Sequence, residues 1–390
     1  MDFELSEYHE RLAKVKRSMA QKGLDVLVAS DPSNMKWLTG YDGWSFYVHQ
    51  GLIVALDRPE PIWWGRGMDA NGAKLTTWLS PDSLRPYADD YVQNPAKHPM
   101  SHVASILREF GWLNKRVGAE HDNYWFTGRC LQVLEAELQA PTADATGLIN
   151  WERLIKSPTE IAYLRQAAVV CRGVMEAATN AVRPGRLERD AAAAVYAACV
   201  KGVDGVPGDH PAIFPIMPSN ERTTCAHLGW APERIYQPDD LVLLELCGVH
   251  RRYHCPLSRT VYLGRPPRRL ADLAAAVLEG VEAALAFVKP GVEAWEVEAC
   301  WRSTVSKRGV VKPSRLGYSI GASYVPDWGE RTVSLRPDDH TVLGPNMTFH
   351  LMPGIWEDDL GFESSEPFLV TETGCEPLMG FPRGILTPEL

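Results

Sequence analysis

The chain has 390 residues, 45% of them hydrophobic and 23% charged, with a formal net charge of −9. That length suits about two or three domains with sizeable cores, and the dispersed acidic surplus argues against nucleic acid or an anionic membrane as partner. No apolar run reaches the ~18 to 20 residues of a membrane span.

The start, MDFELSEYHERLAKVKR, is amphipathic and charged and does not read as a signal peptide. Tyr8, Leu12, Val15 and Met19 recur at helical spacing, and Gly23 closes that helix. DVLVA (25–29) suits a parallel strand, and GLIVAL (51–56) and PIWW (61–64) read as two more. Helical patterns at 100–110 and 129–138 alternate with VGAE (117–120), which predicts a small α/β domain over 1–150. KSPTEIAYLRQAA then opens a second domain over 151–390. Ser157 as N-cap, Pro158 at the first helical position and Glu160 make a capping box, with Ile161, Leu164 and Ala168 on the buried face. Leu273, Val277, Val281, Leu285 and Val288 mark a long helix near 270–288. Strands are expected at PAIFPIMP (211–218), in the hairpin LVLLELCGVHRRYHCPLSRTVYLG (241–264), and at TVSLR, MTFHLMPGIW and PFLVTETG. Helices with long antiparallel strands predict an α+β class for this domain. The eight cysteines lack CxxC spacing and read as reduced thiols of a cytoplasmic protein, neither a disulfide framework nor a zinc site.

Within the hairpin, Glu245 stands among Leu243, Leu244 and Leu246, and Pro256 interrupts the facing strand. Such an acid is an edge residue, a buried acid satisfied by an arginine, or a functional carboxylate. The hairpin, GYSIG (317–321), MTFHLMPG (347–354) and FLVTETG (368–374) resemble the pita-bread hydrolases of peptidase family M24, which include methionine aminopeptidase, proline dipeptidase and creatinase. The resemblance implies a pita-bread catalytic domain behind a smaller α/β domain of the creatinase/prolidase type. In the metallopeptidases of that family the positions matching Glu245, Pro256, Tyr318, Met352 and Ser365 carry the ligands of a metal pair. Only Glu245 could serve here, whereas a catalytic divalent ion takes about three protein ligands, so no metal and no cofactor is expected.

One subgroup is resembled more closely, the ectoine hydrolases, metal-independent relatives that hydrolyse the cyclic amidine ectoine to N-acetyl-2,4-diaminobutyrate. The matching segments are DPSNMKWLTGYDGWSFYVHQ (31–50), GRGMDANGAK (65–74), RYHCPLSRTV (252–261) and YVPDWGERTVSLRP (324–337). An amidinium is already cationic and electrophilic, so a carboxylate can bind it, attack it or activate a water against it. The resemblance assigns that role to Glu245 and proton transfer to His227, each of which could instead be a satisfied structural group. It places Arg331 on the substrate carboxylate, with Arg259 as a more structural competitor, and makes His254 the spare histidine nearest the site. Tyr318 and Glu363 could supply hydrogen bonds. Asp327, Trp328 and Glu330 could line the site, and Asp42, Trp44 and Phe46 could close it across a homodimer interface, where aromatic faces hold a delocalised cation at ~0.5 to 2 kcal/mol per contact. The expected substrate is ectoine, with 5-hydroxyectoine as a second candidate. Another metal-free, creatinase-like amidine or C–N hydrolase and a non-enzymatic pita-bread binding protein remain open.

Overall fold

The computed structural model describes residues 1–45 and 47–388. The chain divides into two compact units, Met1–Arg153 and Leu154–Leu390. In the first, the strands are β1 (Val26–Ala29), β2 (Gly51–Ala55), β3 (Ile62–Arg66), β4 (Leu84–Tyr87), β5 (Val117–Ala119) and β6 (Ala143–Asp144). The helices are α1 (Leu5–Gln21), α2 (Pro32–Thr39), α3 (Ala70–Thr76), α4 (Pro99–Glu109), α5 (Gly128–Leu138) and α6 (Leu148–Glu152). The sheet runs β4-β3-β2-β1-β5-β6, with β1 parallel to β5 and antiparallel to β2. β1 is apolar throughout because both of its faces are covered. Leu27 and Ala29 join the core with Leu12, Val15 and Met19 of α1, while Val26 and Val28 join that of α4 and α5.

The second unit contains α7 (Pro158–Ala181), α8 (Glu188–Lys201), β7 (Leu241–His250), β8 (Tyr253–Tyr262), α9 (Arg268–Phe287) and α10 (Ala294–Ser306). There follow β9 (Gly317–Tyr324), β10 (Asp327–Leu335), β11 (Thr348–Leu351), β12 (Ile355–Trp356), β13 (Gly361–Phe362), β14 (Glu366–Val370) and β15 (Cys375–Pro377). The main sheet is antiparallel, in the order β15-β14-β11-β9-β8-β7, with β10 on β9. Helices α7 and α8 share a core with β7 and β8, and α9 and α10 share another with β10, β11 and β14. This is the expected α+β pita-bread arrangement. The capping box opens α7 as anticipated: Glu160 N–H donates to Ser157 Oγ at 3.2 Å, and Ser157 N–H donates to Glu160 Oε2 at 2.9 Å. No helix among the described residues is long and apolar enough to cross a membrane.

Two local expectations change. PAIFPIMP is not a strand, because Pro211, Pro215 and Pro218 have no N–H to give a ladder; only Ile216 and Ser219 form isolated bridges, to Glu245 and Val242. Helices α8 and α10 were not anticipated. In α8 (ERDAAAAVYAACVK) alanines occupy both faces, so polarity contrast is weak where propensity is high.

The proline in β8 is accommodated by register. Glu245 exchanges backbone hydrogen bonds with Ile216 at 2.9 and 3.2 Å, on the side away from β8. Ser258, opposite Glu245, turns its N–H to Ser365 Oγ at 2.6 Å. Glu245 and Ser258 are therefore a non-hydrogen-bonded pair, and so is the next pair on that face, Cys247 opposite Pro256. The missing N–H of Pro256 falls on the side away from β7, and the β7–β8 ladder stays whole.

Gly248 lets α7 lie against β7: a Cβ there would stand 2.2 Å from both Ala167 O and Cys171 N. Backbone cannot yield as a side chain tip can. Gly248→Ala should therefore cost about 1–3 kcal/mol, read as a lower urea midpoint at unchanged slope. An unchanged midpoint would contradict the close approach.

Candidate active site in the second unit

Period-two alternation along β7 sends Leu244 and Leu246 into the α7–α8 core and turns Glu245 to the other face. There its carboxyl lines a cavity of about 520 Å³. Lys312, Tyr318, Trp328, Arg315 and Trp356 share the wall, with Ile213, Ile216 and Met352 adding apolar surface.

Burial pushes the Glu245 carboxyl up to about 7, against the opposing pull of the Lys312 ammonium. Glu363 lies buried nearby, outside the lining. Burial raises its carboxyl well above the ordinary range and the Glu245 charge raises it further, with Lys312 again opposing. Lys312 is brought down to about 8 by burial, with Glu363 and Glu245 resisting. Its Nζ donates to Gly354 O and Ser314 Oγ, both at 2.9 Å, and stands 5.1 Å from the Trp356 ring centre. Two carboxyls thus share one ammonium, and burial favours the protonated form of both.

Behind the cavity runs a chain of neutral hydrogen bonds. Trp328 Nε1 donates to Tyr318 Oη at 2.7 Å, and that hydroxyl is hydrogen-bonded to His350 Nδ1 at 3.0 Å. His350 Nε2 is in turn hydrogen-bonded to Ser365 Oγ at 2.7 Å. Burial, with Arg259 and Arg315, lowers the His350 imidazole to about 3, so the ring is neutral and one nitrogen donates while the other accepts. Tyr318 and Ser365, which the resemblance matches to two of the family's metal-ligand positions, have their oxygens committed to this chain. Pro256 and Met352 offer a hard cation nothing. The donor set does not fit a pair of divalent ions.

Of the other residues singled out from sequence, His227 and Asp327 line the cavity. His227 is exposed at its mouth, and Asp327 Oδ1 accepts Gly329 N–H at 2.9 Å. Arg331 is exposed in a bulge of β10, with φ +58°, and does not line the cavity. Arg315 does: it stands 4.4 Å from the Tyr318 ring centre and donates to Ser334 Oγ at 3.2 Å. His254 is outside the lining. Its Nε2 accepts Ala212 N–H at 3.0 Å, its Nδ1 meets Arg252 O at 2.7 Å, and burial lowers it to about 3. Arg259 is a buried brace that donates to the carbonyls of Ser258, Ser365, Phe381 and Pro382. Glu330 is outside the lining as well, in a buried ion pair with Lys156 at 2.8 Å. In the first unit Asp42 pairs with Lys36 at 3.3 Å and Trp44 is exposed, whereas Phe46 lies outside the described residues. Lys312, Arg315 and Trp356 escaped the sequence reading. The only trace of the first two is the basic pair around Pro313 in VVKPSR, just ahead of β9.

The Lys156–Glu330 pair generates a test. Glu330→Gln removes the anion of this pair from beside a buried ammonium, which should cost about 3–5 kcal/mol of stability while turnover per folded molecule persists. Unfolding and turnover are read on one preparation; lost turnover at an unchanged unfolding midpoint would put Glu330 in the site instead.

Comparison with known proteins places this geometry. The profile of the creatinase/prolidase N-terminal domain matches residues 11–155, and that of metallopeptidase family M24 matches 162–372. An ectoine hydrolase from Halomonas elongata is 46% identical, with 98% of each chain covered. An uncharacterized hydrolase/peptidase, y4tM, from Sinorhizobium fredii is 41% identical over 100% of this chain and 99% of its own. Among solved structures, the dipeptidase PepE from Mycobacterium ulcerans superposes with a TM-score of 0.81 at 22% identity, covering 100% of both chains.

Proposed function

The chain belongs to metallopeptidase family M24, and within that family we propose that it is an amidine hydrolase that opens ectoine to N-acetyl-2,4-diaminobutyrate without a catalytic metal. The observation that carries this reading is a buried carboxylate, Glu245, in an aromatic-walled cavity of a chain 46% identical to an ectoine hydrolase. A delocalised amidinium suits the faces of Trp328, Trp356 and Tyr318. Ionised Glu245 binds its N–H groups through charge-assisted hydrogen bonds, and Arg315 takes the substrate carboxylate.

Glu245 deprotonates a water that adds to the carbon between the nitrogens; in the covalent alternative Glu245 itself adds there, and a water later attacks the same carbon, breaking the Glu245 O–C bond and restoring the carboxylate. The C=N electron pair moves to nitrogen. As the tetrahedral centre collapses, one C–N bond breaks and His227, at the mouth, delivers the proton to the departing amine. One water is consumed, and the remaining nitrogen keeps the acyl group as an amide. The same fold, with Trp44 and Tyr47 58% and 61% exposed, suits a homodimer in which segment 42–47 closes toward the partner. Light scattering at the single-chain mass of 43.4 kDa would contradict that assembly.

Purified protein incubated with ectoine should open the ring, followed by NMR, and turnover should survive exhaustive chelation. Activity that returns only with added manganese or zinc would overturn the metal-free mechanism. Turnover of creatine but not ectoine would favour the creatinase-like reading, and no turnover of either would favour a binding protein. Glu245→Gln should lower turnover by roughly 10² to 10⁴ with melting little changed.

The pH profile follows from the same charges. An acid limb near 7 is expected as Glu245 loses its proton and becomes active, and an alkaline limb near 8 as Lys312 loses its charge. Lys312→Met removes the ammonium that favours the carboxylate, so the acid limb should move upward. A limb that stays in place or moves downward, measured by kcat/KM against pH, would show that Lys312 does not favour the Glu245 carboxylate.

A further inference from the structure

Three ligand-type side chains that the reaction does not use converge in the first unit. His49 precedes β2, His98 is the N-cap of α4, and Cys130 lies in the first turn of α5. One donor atom from each falls within 4.8 Å of the others. We propose that His49, His98 and Cys130 form a binding site for a thiophilic metal ion, zinc(II) or copper(I), separate from the hydrolytic cavity.

The distances suit the chemistry. Cys130 Sγ lies 3.6 and 3.7 Å from the two ring nitrogens of His49. Tetrahedral zinc, with bonds of ~2.3 Å to sulfur and ~2.0–2.1 Å to nitrogen, sets sulfur and nitrogen about 3.6 Å apart. The His49 and His98 ring centres are 5.1 Å apart.

Outer partners are also in place. His49 bonds to the Trp125 backbone, which fixes one nitrogen as the donor and leaves the other's lone pair for a metal. Thr127 Oγ1 donates to Cys130 Sγ at 3.4 Å, and the start of α5 adds a field that favours thiolate. His49 and His98 also face a cavity of about 140 Å³, which leaves room for a water or small ligand as the fourth donor. An imidazole–imidazole–thiolate set selects zinc or copper over magnesium or calcium.

One contact must give way. His98 Nδ1 accepts Met100 N–H at 3.2 Å, so its proton sits on Nε2 in the metal-free form. Ligation through either nitrogen displaces that long, neutral bond, which is worth far less than a metal–ligand bond. Burial raises the Cys130 thiol, so capture of the ion also releases a proton and affinity should rise with pH. Spacing arguments miss such a site because its ligands are 49 and 32 residues apart (98 − 49 and 130 − 98).

The test titrates metal-free protein with cobalt(II) as the zinc probe. One equivalent should produce a thiolate-to-cobalt charge-transfer band with the visible absorption of a tetrahedral ion. Cys130→Ser should abolish the charge-transfer band. His98→Gln should bind at least about tenfold more weakly, a loss already reached when outer-shell partners are removed, and should keep wild-type turnover of ectoine. No band in the wild type, or a band that persists at full affinity in His98→Gln, would overturn the site. Should Cys130→Ser fail to fold, His98→Gln decides alone. Because Glu245→Gln should titrate like the wild type, failure of this site and failure of the hydrolase reading are distinguishable.

Discussion

Burial of Glu245 in the sheet disfavours its charge and the Lys312 ammonium favours it, and several features of the second unit hold the two in place. An unpaired ion out of water costs several kcal/mol, and one ammonium serves both Glu245 and Glu363. The strand that carries Glu245 is held on both edges, by β8 on one side and by the Ile216 bridge on the other. Lys312 is tethered by the Gly354 carbonyl and the Ser314 hydroxyl. Neither charge has to reorganise when a cationic substrate arrives, which is the condition for strong electrostatic assistance in a dry site.

The residues at positions that the resemblance matches to the family's metal ligands form a network of their own. A metal pair lets several carboxylates and an imidazole crowd together because the ions supply opposing charge. Without that charge, a cluster of acids would repel and stay protonated. Here the space holds Trp328, Tyr318, His350 and Ser365, each hydrogen-bonded to the next, and no member needs to be charged. Buried polar groups are tolerated when every one is paired, and such a chain also locks the tyrosine wall of the cavity. Pro256 fits the same logic: at a non-hydrogen-bonded register position it removes a ligand without breaking the ladder that positions Glu245.

The first unit solves its polar burial differently. Glu120, at the end of β5, accepts the backbone N–H groups of Ser30 and Asp31 and the Asn34 amide, at 2.7 to 2.9 Å. Burial and Asp31 still push its carboxyl up to about 7. That knot ties β5 to the turn between β1 and α2. The proposed His49, His98 and Cys130 site differs in having open space beside it, a cavity of about 140 Å³ lined by both histidines.

Much of this protein was legible in the chain because it is written in local or periodic signals. The four-three-four spacing in α1, the capping box of α7 and the apolar run of β1 each depend on neighbours within a turn or a strand. The lone acid of LVLLELCG announced itself by breaking an apolar strand, and the family resemblance rested on long unusual strings. What stayed hidden depends on contacts between distant segments. Lys312 and Arg315 reach the cavity only through the segment that leads into β9, whereas Arg331 is turned outward by a bulge that no spacing rule reveals. His254 and Glu330, singled out in one dimension, lie outside the cavity lining in three, as does Arg259, and the fold supplies the carbonyls and the Lys156 ammonium that pair with them. Residue type and pattern determined which groups this protein has to work with; tertiary packing decided which of them are already paired, because burial makes partnership obligatory and the partners come from far along the chain.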